Sequence, residues 1–357
     1  MPGRVWGEGL LLDLLVANRL SRLATISLGV ACLTALEADA AGPPCKAHPN
    51  FTVVDFSIPV TEVEAGKEQA FAGLKQFGVT TVIRYYDHAS ETIACKTLLP
   101  EESDAILANG FSIAVVFQHN NGDPETFFSK TRGAEDAKRS LALAAANGQP
   151  YGSTVYFGVD GADQVIKDVV FEYKVSGGKP MTKARKAALL KEDKGRHIRF
   201  YARFLEYKDV YFKGIPVKSL RPQHILPFVE AYFADVNRIF REASQSAPDS
   251  GRYSVSAYGS GLVCNFLLSK KLVEYCWLAQ STGWPDYDGF KTSERWSLLQ
   301  EKSTKCADWT YARDKRQVEF DFNTPSASNP NFGQWSEKRH DMSPIARPKK
   351  CPPLAPD

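Results

Sequence analysis

Four times between residues 51 and 160 the chain lays down a short apolar run rich in β-branched and aromatic residues, and helix-forming stretches separate these runs. The runs are Phe51–Val54 ending at Asp55, Val79–Tyr86, Phe111–Phe117 ending at Gln118, and Thr154–Val159 ending at Asp160. The stretches between them run from about 64 to 77, stopping at Gly78; from Pro100 to Asn109-Gly110; and from Gly133 to Asn147, closed by Gly148. Glycine just past a periodic segment is a helix stop, and proline fits a first helical turn. A strand that returns through a helix pairs parallel with its predecessor, so this rhythm predicts an α/β fold.

The rhythm then breaks. Residues 163–222 lack it, and they carry fifteen Lys and Arg against seven Asp and Glu, so they form a basic insertion after the fourth strand. A solvated charged lobe and a lid or groove for an anionic polymer are both compatible with that composition. Beyond it an amphipathic helix begins near Pro227, with Phe228, Tyr232, Val236, Ile239 and Phe240 on one face. Further strands are expected at 253–257, 275–279, 295–300 and 318–322, with a helix over 262–272. Eight strands of this kind predict a TIM-like (β/α)8 barrel over residues 51–336 whose later helices have degraded to loops.

The ends of the chain read differently. Arg19 and Arg22 precede an apolar run from Leu23 to Leu36, and Ala38-Asp39-Ala40 supplies a small-x-small cleavage pattern. Residues 1–40 are therefore expected to be a signal peptide, with translation starting near Val16 because Glu8 and Asp13 do not suit a basic n-region. The apolar run is short for a membrane-crossing helix, so no span is expected after cleavage. Residues 41–50 read as a linker, and 337–357 as a proline-rich tail. Six cysteines remain after residue 40 (Cys45, Cys95, Cys264, Cys276, Cys306 and Cys351), an even number that suits disulfides in an exported chain, periplasmic or extracellular. Their pairing stays open.

Composition narrows the chemistry. The 43% hydrophobic content is enough for a full core, and a net charge of +3 gives no global signature of nucleic-acid binding. No CxxC, HExxH or GxSxG motif occurs, so no metal or cofactor is expected. In barrels of this kind the loops at the C-terminal ends of the strands converge on the site. There the sequence places Asp55, Arg84, Gln118, Asp160, Tyr258, Gln300 and Asp321. Two carboxyls flanking a glycosidic bond can protonate the leaving oxygen while the other activates water or attacks the sugar. Asp160 and Asp321 are the expected pair with Asp55 as third acid, and Arg84, Gln118, Tyr258 and Gln300 are expected to orient the sugar.

The ordered motifs Val54-Asp55-Phe56-Ser57, Val82-Ile83-Arg84-Tyr85-Tyr86, Val155 to Asp160, Ala257-Tyr258-Gly259, Trp277-Leu278-Ala279, Leu299-Gln300, and Val318 to Asn323 with Phe332-Gly333-Gln334-Trp335 carry a family resemblance. The chain resembles the glycoside-hydrolase-like domain of unknown function family 1906, itself similar to the lysozyme-type muramidases of glycoside hydrolase family 25. The resemblance implies a TIM-like barrel and a cell-envelope glycan, peptidoglycan included, as substrate. One departure is visible: the muramidases end the fourth strand in Asp-x-Glu, whereas Asp160-Gly161-Ala162 has no acid two residues on. Two functions follow as expectations. One is acid/base hydrolysis of an envelope polysaccharide, probed by Asp160→Asn; the other is non-catalytic glycan binding or envelope interaction on the same fold.

Overall fold

A computed structural model describes residues 52–64, 66–88, 96–122, 125–159, 211–212, 215–216, 222–245, 251–312, 315, 317–328 and 330–338. The expected signal peptide and linker, Asp160, nearly all of the basic insertion over 163–222 and the tail from 339 lie outside the described residues.

Eight strands close into a barrel. In chain order the strands are β1 (Val53–Asp55), β2 (Thr81–Tyr86), β3 (Ser112–Phe117), β4 (Thr154–Val159), the short pair β5 (Tyr211–Phe212) and β6 (Ile215–Pro216), then β7 (Ser254–Gly259), β8 (Cys276–Leu278), β9 (Leu298–Thr310) and β10 (Gln317–Pro325). The barrel runs β1-β10-β9-β8-β7-β4-β3-β2, while β5 and β6 form a separate two-stranded sheet among the described residues. Helices α1 (Lys67–Gln76), α2 (Pro100–Ala108), α3 (Glu125–Phe128), α4 (Arg132–Ala146), α5 (Leu226–Gln245), α6 (Gly261–Ser269) and α7 (Tyr287–Thr292) connect the strands. Local chemistry sets several boundaries. Pro100 opens α2, where a missing N–H costs nothing, and the Ser260 hydroxyl accepts the Val263 N–H at 3.2 Å to cap α6.

The last strand departs from the expected parallel order. Among the described residues no helix separates β9 from β10, which pairs antiparallel with both β9 and β1. A hairpin needs only a short turn, whereas a parallel return needs a crossover of a dozen residues or more. The β10 register sets Asp321 opposite Asp55 and Asn323 opposite Val53. Asp321 therefore reaches the C-terminal mouth of the barrel from the middle of its strand rather than from its end.

Strand alternation divides the side chains into two layers. Val53, Ile83, Ala114, Val116, Tyr156, Trp277 and Leu298 fill the barrel interior. Their neighbours Val54, Val82, Val115, Phe117, Val155 and Phe157 belong to the larger core under the helices. The N-terminal end of the barrel is closed by residues 330–338. Phe332 joins the interior cluster, the Tyr156 hydroxyl donates to its carbonyl at 2.8 Å, and Trp335 bridges to Ile113. Between them Gly333 has φ 81°, and a Cβ there would stand 2.4 Å from Thr154 Cγ2, so glycine is required. A disulfide joins Cys264 on α6 to Cys276 on β8 with Cα atoms 5.7 Å apart, tying helix to barrel.

Candidate functional site

The C-terminal mouth of the barrel gathers inward-facing polar groups from neighbouring strands. Asp55 ends β1, Tyr85 stands one residue before the end of β2, and Asp321 and Asn323 lie two apart on β10 and share its inward face. Directly opposed residues of an antiparallel pair hold their Cβ atoms roughly 4.5–5.5 Å apart, so Asp55 and Asp321 are close carboxyl neighbours.

Two amides hold this pair, and the orientation of each is fixed by a group that can only donate. The Trp277 indole N–H donates to Asn323 Oδ1 at 2.7 Å, which turns the Asn323 amide nitrogen onto Asp55 Oδ2 at 2.8 Å. The backbone N–H of Gln280 donates to Gln300 Oε1 at 3.1 Å, and the Tyr258 hydroxyl donates to the same oxygen at 2.9 Å. Gln300 Nε2 is thereby directed to Asp321 Oδ2 at 3.2 Å. The Tyr85 hydroxyl completes the group, donating to Asp55 Oδ1 at 3.1 Å. The Tyr258 ring packs on Trp277 with centroids 4.4 Å apart, which steadies both donors.

The electrostatics follow from burial. Asp55 is 1% exposed, whereas Asp321 is only partly buried. Burial pushes the Asp55 carboxyl well above the usual carboxylate range, and the Asp321 charge adds to the rise; hydrogen bonds from Asn323, Tyr85 and Gln300 offset part of it. The Tyr85 hydroxyl is also raised, first by burial and then by the Asp55 charge. The neighbouring Asp321 charge thus favours the protonated form of the buried Asp55 carboxyl.

The other expected site residues fall in different places. Gln118 follows β3 on the inward side, its side chain lying against Gly158, where a Cβ would meet Gln118 Cγ at 3.3 Å. Tyr258 and Gln300 stand in the dyad's hydrogen-bond network, as described. Asp160 lies outside the described residues. Arg84 faces the other way, into the layer between β2 and α2, fully buried. Its Nε and Nη2 donate to Glu102 at 2.7 and 3.1 Å, and its Nη1 donates to the Phe56 carbonyl at 2.7 Å. This guanidinium holds helix to barrel, and the inward position beside it belongs to Tyr85.

Tyr85, Asn323 and Trp277 are the members of the group that sequence reasoning left unassigned. Period-two alternation carried forward from Asp321 would have found Asn323 on the same face of β10, whereas Tyr85 lies on a strand with no such acid and needed the β1–β2 register. Trp277 gives no such polar signal; its role depends on a cross-barrel contact.

A second polar cluster borders this end of the barrel. Asp87, just past β2, is buried and meets His119 Nδ1 at 2.6 Å and Lys96 at 3.7 Å. Burial raises its carboxyl, and Lys96 and His119 counter that rise. Asp136, on α4, meets Arg132 at 2.7 Å, His88 at 2.9 Å and the Tyr232 hydroxyl at 2.7 Å. These contacts fasten the loops after β2 and β3 onto α4 and α5. Among the described residues no group of three or more His, Cys, Asp or Glu is placed to hold a metal ion, and no helix is long and apolar enough to cross a membrane.

Comparison with known proteins places part of this chain. A family model described as "Rv2525c-like, glycoside hydrolase-like domain" matches residues 72–178. No curated protein matches. Among solved structures, the Mycobacterium tuberculosis Tat-secreted protein Rv2525c in complex with HEPES is 15% identical, over 80% of this chain and 98% of that one, with a TM-score of 0.44. An uncharacterized B. stearothermophilus protein is 11% identical, over 77% of this chain and 95% of that one, with a TM-score of 0.39.

Proposed function

We propose, from a chain that carries a glycoside hydrolase-like domain, that the protein is exported and hydrolyses a glycosidic bond in a bacterial cell-envelope polysaccharide, peptidoglycan first among them. The observation that carries this reading is the Asp55–Asp321 pair, set at the barrel mouth with an amide on each carboxyl. Export rests on the signal pattern of residues 1–40.

The proposed roles follow from exposure. Asp321, partly exposed, faces the bond to be cleaved and stabilises the positive charge that develops on the sugar. Asp55 is too deeply buried to touch the sugar; it is a positioning residue that stands opposite Asp321 across the β1–β10 pair. Asp160, following β4 directly, is the acid/base that protonates the leaving oxygen. Gln118, Tyr258 and Gln300 orient hydroxyls around them.

A second reading, glycan binding without turnover, draws on the absence of an acid at Ala162 and on the burial of Asp55. Mass spectrometry of soluble products decides between them, with purified protein incubated on peptidoglycan and other envelope glycans beside Asp321→Asn and Asp160→Asn. New reducing ends from the parent chain, reduced by about 10²-fold or more in either variant, support hydrolysis. Wall binding without fragments on any substrate transfers support to the binding reading, and undiminished release by both variants removes the assigned acids.

A further inference from the structure

At the opposite, N-terminal end of the barrel a cavity of about 550 Å³ opens between α5, the start of β7 and the turn from α6 to β8. That volume lies within the range of small-ligand sites. Its apolar wall comes from Phe240, Tyr253 and Leu272, with the half-buried Tyr275 ring at its edge. Three cations from separate segments border it: Arg241 on α5, Arg252 before β7 and Lys271 after α6, against Glu274 as the sole acid in its lining.

The partners of neighbouring cations make the arrangement informative. Arg238, one turn before Arg241, bonds Asp235 and Glu242, and Lys270 pairs with Glu230 at 3.1 Å. Among the described residues, Arg241, Arg252 and Lys271 have no ion pair or side-chain hydrogen bond. Lys271 also holds φ 56°, a left-handed conformation at a helix end where glycine fits with least strain. A cation is thus kept there against the local backbone preference.

We propose that this cavity binds an anionic glycan segment, its closely spaced oxyanions taken by Arg241, Arg252 and Lys271 and a sugar face laid against Tyr275. The site is separate from the Asp55–Asp321 mouth and independent of any hydrolysis there. Guanidinium and ammonium groups suit phosphate and carboxylate alike, so the anion class is shared between the two.

Isothermal titration of the full chain with inorganic pyrophosphate, and separately with a galacturonate trisaccharide, tests the proposal at physiological ionic strength. Saturable one-site binding of at least one probe is expected, and which probe binds identifies the oxyanion. Arg241→Gln and Lys271→Gly should each weaken it about tenfold or more. Lys271→Gly guards against misfolding, because glycine relieves the left-handed strain. Asp321→Asn should leave binding unchanged, which separates this site from the proposed catalytic one. Absence of binding by both probes overturns the proposal, as does an equal loss in Arg238→Gln, which would mark a diffuse charge effect.

Discussion

Arg84 is a structural residue that ties α2 to the barrel, and Glu102→Ala tests that role. The Glu102 carboxylate is 2% exposed and accepts three hydrogen bonds: two from Arg84, at 2.7 and 3.1 Å, and one from the Val60 N–H at 3.1 Å. Truncation leaves a fully buried guanidinium with one remaining acceptor, the Phe56 carbonyl. Removing one partner of a buried pair costs about 3–5 kcal/mol, chiefly for the stranded charge, a large share of the 5–15 kcal/mol that holds a typical domain. Replacing both partners by apolar groups of similar size is neutral or mildly stabilising in such settings. Urea unfolding should therefore show a lowered midpoint with unchanged slope for Glu102→Ala, and recovery of most of that loss in Arg84→Met with Glu102→Leu. Glycan binding by the double variant should equal that of the parent. A loss under about 1 kcal/mol in Glu102→Ala, or a stable double variant that no longer binds glycan, would return Arg84 to the site.

Other expectations follow from the same geometry. Because its folded pKa is raised, Asp55 favours the folded state most below its unfolded pKa, and that contribution is lost as pH rises through the folded value. Asp55→Asn should consequently gain thermal stability over the parent at neutral pH and lose that advantage in acid, as read by melts across the pH range; a pH-independent difference would contradict the burial argument. Breaking the Cys264–Cys276 bridge, which spans 12 residues, should cost about 3 kcal/mol in denaturant titration of Cys264→Ala with Cys276→Ala. Peptide mapping without reduction should recover the two cysteines in one linked species. Gly133→Ala should destabilise by about 1–3 kcal/mol despite alanine's better helix propensity, because its Cβ would stand 2.5 Å from the Tyr232 carbonyl oxygen, a backbone atom with no freedom to move aside.

How much of this was legible in the sequence depends on which physical signal each feature leaves. Strands β2, β3, β4 and β7 were readable because each is a short apolar run bounded by turn residues. The hairpin of β9 and β10 was not, since β9 runs on to Thr310 through polar residues that carry no strand signature, where a loop was expected. That same hairpin reverses β10 and sets Asp321 against Asp55, so two acids read as separate strand ends became a cross-strand pair. Arg84 illustrates the complementary failure. As a strand-end group able to hydrogen-bond sugar it fits the expected site, but in the barrel the pleat turns it outward and sets Tyr85 inward, and the six residues of β2, buried on both faces, do not signal which face is which. The amide orientations around the dyad had no sequence signal, because they depend on donors from Trp277 and the Gln280 backbone brought together only by barrel closure.

The proposed site rests on a buried Asp55 carboxyl whose ionisation is opposed by the Asp321 charge, and carboxyl ¹³C NMR of aspartate-labelled protein reads that interaction at the residue itself. One carboxyl resonance, absent in Asp55→Asn, is expected to titrate well above the ordinary aspartate range and to move down in Asp321→Asn as the neighbouring charge is removed. An Asp55 resonance that titrates in the ordinary range, or one indifferent to Asp321→Asn, would contradict it.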